Sequence, residues 1–138
     1  MLKFTKIFVY LFVFCAVLSC GTKTVEPEAA PIDILTGGSS KAWIATNYKS
    51  NGVVDFESCE NDDVITFNKS TMKATTDVGA KKCFTGETGS SSTFTMSADG
   101  KTLSLDGFGF TVVKLTNTEL ELRIELFGSK EELFFKAK

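Results

Sequence analysis

The chain has 138 residues, with fifteen Lys and Arg against seventeen Asp and Glu, thirteen Phe, four Cys and no His. Without His, the Ser-His-Asp and Cys-His arrangements of nucleophilic catalysis cannot be built; carboxylate acid-base chemistry stays open, but no enzyme activity and no cofactor are expected. The slightly acidic balance also argues against a nucleic-acid partner, which needs a basic face.

In chain order, Lys3 and Lys6 precede the apolar run Ile7 to Leu18, and Ser19-Cys20 closes it. A charged start, an apolar run and a small residue at a cleavage site make an export signal. The run is shorter than the roughly 20 residues that span a bilayer. With Cys20 directly after Ser19, the segment resembles a bacterial lipoprotein signal. That resemblance implies cleavage before Cys20 and acylation of Cys20, so the membrane becomes a partner through N-terminal acyl chains. Residues 1–19 are then the signal peptide. Residues 20–31, with small, charged and Pro residues and no apolar periodicity, are a lipidated flexible tether.

Loss of residues 1–19 removes Lys3 and Lys6 and leaves thirteen basic against seventeen acidic residues. Nothing beyond the acyl chains then draws the domain to anionic lipid. Gly21 stands where some bacteria place an Asp to retain lipoproteins in the inner membrane. The expected location is therefore the cell envelope, at the outer membrane.

Residues 32–138 suffice for one domain. Their dominant signal is period two. From Glu119 to Leu126 every even position is apolar and every odd one charged, the pattern of a strand with one wet face. Shorter alternations surround Phe94, Leu103 and Phe110, and the runs near Trp43 and Phe67 are rich in β-formers. Eight strands are predicted, near 41–49, 63–68, 71–77, 91–97, 101–106, 108–115, 119–127 and 131–137. Asp99-Gly100 is read as a type I′ hairpin turn, with tight connections also near Asn51-Gly52, Gly107 and Gly128. Connections this short pair neighbouring strands antiparallel. The predicted fold is all-β, an eight-stranded antiparallel up-and-down barrel, with a two-sheet β-sandwich as the alternative.

Cys15 leaves with the signal and Cys20 is acylated, so Cys59 and Cys83 remain. In an exported chain they most simply form a disulfide; two buried free thiols or a metal pair are the alternatives. Two thiolates without His do not fill a tetrahedral zinc site. Glu57, Glu60, Asp62 and Asp63 surround Cys59 but match no EF-hand spacing, so they read as a solvated turn before a strand, and no metal is expected.

Several segments occur together: Ile34-Leu35-Thr36-Gly37, Trp43-Ile44, Cys59 to Phe67 followed by Cys83, Asp99 to Leu103, and Lys114 to Leu122. Their order resembles the small lipocalin-like domains of Bacteroidetes lipoproteins. The resemblance implies an up-and-down barrel, a Cys59–Cys83 disulfide and attachment to the envelope. True lipocalins are less similar, since Lys41 stands where their first strand carries a Gly two residues before the Trp. Trp43 is expected to close one end of the barrel.

Alternation turns Trp43, Phe67, Met72, Phe94, Met96, Leu103, Leu105, Phe108, Phe110, Val112, Leu120, Leu122, Ile124 and Leu126 inward, together with either Leu133 and Phe135 or Phe134. An eight-stranded barrel is just wide enough to be filled by such side chains or to hold one small ligand. The leading expectation is a monomeric binding protein for a small apolar molecule, touched by Trp43, Phe67, Phe94, Phe110, Leu122 and Ile124. A mouth rimmed by Phe84 or Tyr48 belongs to this reading. The alternative is a filled barrel that acts as a structural or inhibitory partner of another envelope protein.

Overall fold

The computed structural model describes residues 28–138. The predicted signal peptide, Cys20 and the tether as far as residue 27 lie outside the described residues. A short helix, α1 (Pro31–Thr36), leads into β1 (Ser40–Ser50), β2 (Val53–Val54) and a single 3-10 turn (Glu60–Asp62). Seven strands follow: β3 (Val64–Asn68), β4 (Lys73–Asp77), β5 (Ser90–Met96), β6 (Thr102–Leu105), β7 (Phe108–Leu115), β8 (Glu119–Leu126) and β9 (Ser129–Ala137). No helix among the described residues is long and apolar enough to cross a membrane.

From β3 to β9, strands adjacent in sequence pair antiparallel, and β3 also pairs with β1. β9 returns to β1, paired from Trp43 opposite Ala137 to Ser50 opposite Glu131. That pairing closes β1 and β3–β9 into an eight-stranded antiparallel barrel and rules out the sandwich. β2 is a two-residue arm on the end of β1. All eight predicted strands are present, and in β8 Leu120, Leu122 and Ile124 are buried as the alternation requires.

The turns differ from expectation in one place. At Asp99-Gly100 only Gly100 has positive φ. The Gly100 N–H donates to the Ser97 carbonyl, and the Asp99 carboxylate accepts from the Ser97 hydroxyl and the Lys101 N–H. These bonds hold a longer loop than type I′ allows. The strand-to-strand turns with two consecutive positive-φ residues, as type I′ requires, are Asn51-Gly52, Asp106-Gly107 and Phe127-Gly128.

Two bulges reset which residues face inward. The β1–β9 register shifts between Ala45 and Asn47, leaving Thr46 as the extra residue; the β7–β8 register shifts between Val112 and Lys114, leaving Val113. A bulge reverses the alternation that follows it. Trp43 and Ala45 therefore share the inner face with Tyr48 and Ser50, not with Asn47. On β9, Leu133 and Phe135 lie opposite Leu122 and Leu120, so this pair faces inward, while Phe134 faces out beneath the Lys49 ammonium.

One end of the barrel is solid. Leu35, Trp43, Phe67, Ala74, Phe94, Leu103, Leu120 and Leu122 form its buried cluster. The Phe67 and Phe94 rings meet edge to face at 5.1 Å, a geometry that contributes about 0.5 to 1.5 kcal/mol beyond area burial. α1 covers this end. The Trp43 indole N–H donates to the Leu35 carbonyl at 2.9 Å. Lys41 sits 4.3 Å above the Trp43 ring and donates to the carbonyls of Ile34 and Asn117, tying helix and barrel together.

Candidate functional site

The opposite end is hollow. β3 pairs with β1 only as far as Val64 opposite Ile44, while β1 continues to Ser50, so the wall parts. A cavity of about 330 Å³ opens there. The inward-facing residues Ala45, Tyr48, Ile65, Thr76, Leu133 and Phe135 form its wall, Asn47 and Val64 border it, and Phe56, Glu60 and Asp63 close it from the segment before β3. This volume lies at the lower end of the range for small-molecule sites, about 300 to 1,000 Å³, and a mostly apolar wall with few polar groups is their usual character.

A second cavity of about 390 Å³ indents the same end on the β5–β8 side, between Ser92, Leu105, Phe108, Phe110, Ile124 and Leu126. All six are at inward-facing register positions. Phe108 is inward by register, as expected, but is 59% exposed because its turn forms the rim.

The polar groups at the mouth are positioned by backbone geometry. Glu131 lies opposite Ile124 on β8 and Ser50 on β1, so its carboxylate is turned to the barrel interior. It accepts from the Tyr48 phenol at 2.5 Å and from the Ser50 hydroxyl at 3.1 Å. The bond to Glu131, with burial, pushes the Tyr48 phenol up to about 12. The 3-10 turn carries Glu60 against the cavity, and Glu60 also accepts the Glu57 N–H at 2.6 Å.

The acidic run around Cys59 therefore does more than form a solvated turn. Asp63, at the start of β3, is half-buried, and burial followed by repulsion from Glu87, Asp62 and Glu60 raises its pKa while Lys82 pulls the other way. Asp62 points elsewhere, accepting the N–H groups of Ala80 and Lys81, which hold its carboxyl below the usual range. Cys59 and Cys83 form a disulfide with Cα atoms 5.2 Å apart. This bond fastens the segment between β4 and β5 beside the mouth. Glu57 approaches both sulfurs, but sulfurs joined to each other are not thiolate ligands.

The six residues predicted to touch a ligand separate into two groups. Phe110 and Ile124 line the second cavity. Trp43, Phe67, Phe94 and Leu122 are in the packed cluster below the cavities. Tyr48 lines the first cavity, whereas Phe84 is exposed on the disulfide-bound segment. Sequence reasoning passed over Ala45, Phe56, Thr76 and Glu131. A signal for Glu131 was present, since it continues the inward alternation of Leu133 and Phe135.

A closed eight-stranded meander, capped at one end and hollow at the other, is an up-and-down barrel of the kind that supports small-ligand binding. The profile of the lipocalin-like domain family matches residues 40–122, more than half of the chain, and the protein belongs to that family. No curated protein matches the chain.

Proposed function

We propose that this protein is a lipid-anchored binding protein of the cell envelope, not an enzyme, that holds one small and largely apolar molecule at the open end of its barrel. The observation that carries this reading is the 330 Å³ cavity walled by Ala45, Ile65, Leu133 and Phe135 on inward-facing strand positions. The anchor rests on Cys20 and the segment before it. At the α1 end the barrel interior is filled by Trp43, Phe67 and Phe94, so the apolar interior space lies at the open end.

The test is titration of the full chain with the fluorescent apolar probe N-phenyl-1-naphthylamine. Saturable enhancement is expected, and Ala45→Phe, which places a ring in the cavity, should weaken it by about tenfold or more, equivalent to about 1.4 kcal/mol. Val113→Phe, at the exposed bulge of β7, should bind as the parent does. No saturable enhancement in the parent, or unchanged binding by a folded Ala45→Phe variant, would overturn the reading.

A second reading has an observation of its own. Val53 and Val54 of β2, Phe84, Phe108 at the start of β7 and Phe127 are all exposed and lie around the open end. Such side chains favour a protein partner in the envelope, and crosslinking from Phe127 in cells would capture it.

A further inference from the structure

The wall and the rim of the first cavity differ in chemistry. Its depth is apolar, with Ala45, Ile65, Leu133 and Phe135 offering no charge. Its rim carries the carboxyl groups of Glu60 and Asp63, and no Lys or Arg is among the described residues that line it. Glu131, bonded to the Tyr48 phenol, adds a third carboxylate at the mouth. Lys49 is directed elsewhere, over Phe134 on the outer face. Lys82, from the segment between β4 and β5, acts on Asp63 only at a distance against the like charges of Glu60, Asp62 and Glu87.

We propose that this cavity selects amphiphiles that carry a positive charge, with the apolar body against Leu133 and Phe135 and the ammonium group between Glu60 and Asp63. The proposal rests on the small-molecule reading above and adds the charge of the ligand. Two half-buried carboxyls beside an apolar wall repel each other, and a bound cation offsets that repulsion while the wall excludes water from its apolar part. A carboxylate of the same shape would meet like charge, and a neutral alcohol would gain only the apolar contact. Asp63 fits this role because burial and the like charges of Glu87, Asp62 and Glu60 already raise its pKa, and a bound cation would offset that repulsion.

Three probes share one body and differ in charge: 2-phenylethylamine, 2-phenylethanol and phenylacetate. Each is titrated into the full chain and into Glu60→Gln, Asp63→Asn and the double variant. The methyl NMR signals of Ala45, Val64 and Leu133 report binding, and the thermal midpoint confirms folding. The parent should bind the amine about tenfold more tightly than the alcohol, with the carboxylate weakest. In the folded double variant, and in molar salt, the preference should fall to about threefold or less. Each single variant should lie between these limits, so the test does not depend on the double variant alone.

Equal binding of amine and alcohol by the parent overturns the charge selection and leaves the apolar-ligand reading in place. A preference retained in the double variant overturns the assignment to Glu60 and Asp63. If none of the three probes binds while N-phenyl-1-naphthylamine does, only the present proposal fails. If that probe also gives no saturable signal, both fail.

Discussion

Trp43 donates its indole N–H to the backbone carbonyl of Leu35 at 2.9 Å, and both residues are fully buried. The bond joins the first strand of the barrel to the helix that covers it. Trp43→Phe removes the pyrrole part of the indole and leaves that carbonyl without its donor; the unmade bond alone should cost about 1 to 3 kcal/mol, and the void adds to it. Urea denaturation should show a lower midpoint with an unchanged slope. An unchanged midpoint would mean that the helix is held mainly by Lys41 and apolar packing.

Phe127 is fully exposed and has φ of 52° in a type I′ turn that ordinarily takes Asn, Asp or Gly. An L side chain in this conformation costs roughly 1 to 2 kcal/mol, less for Asn. Phe127→Asn should therefore raise stability by about 0.5 to 1 kcal/mol, read from the urea midpoint. A loss of stability would show that Phe127 makes a contact that its exposure conceals.

The Tyr48 phenol titrates at about 12, above its ordinary 10, chiefly because it donates to Glu131. Folding thus favours the neutral phenol. Its contribution to stability is whole below about pH 10 and is lost as the pH rises through about 12. The difference in tyrosinate absorbance between the parent and Tyr48→Phe isolates this group. Glu131→Gln should bring its midpoint back toward 10, whereas an unmoved midpoint would assign the shift to burial.

The Cys59–Cys83 bond closes a loop across a sequence separation of 24 residues. Replacing both cysteines by Ala should remove about 3 kcal/mol through the greater freedom of the unfolded chain. Denaturing the parent in the presence of a reductant should reproduce that loss. A reductant without effect on the parent would contradict the bond.

Some of this architecture could be read directly from residue order, and some could not. Glu119 to Leu126 alternates without interruption for eight residues, so both its strand character and its inner face are plain. α1 has only six residues, too few turns for a helical period to show. In β1 the alternation reverses at Thr46, because a bulge depends on the partner strand and leaves no local mark. That reversal brings Tyr48 inward and helps build the cavity wall, so the site itself was the least legible part. Asp63 was obscured for another reason: a carboxylate beside other carboxylates looks solvated until the fold places it at the rim of a cavity that Phe56, Ile65 and Leu133 also line. Likewise, a bulky Phe in the turn after β8 hid a type I′ hairpin that an Asn would have announced.

The pairing of β1 with β9 also sets an order of events during synthesis. Trp43 finds Ala137 only after nearly a hundred intervening residues exist, a high contact order that slows folding. Until then β1 and β8 each present an unpaired row of N–H and C=O groups. A chain truncated before β9 would consequently be an open sheet with two adhesive edges instead of a smaller barrel, prone to join its neighbours strand to strand.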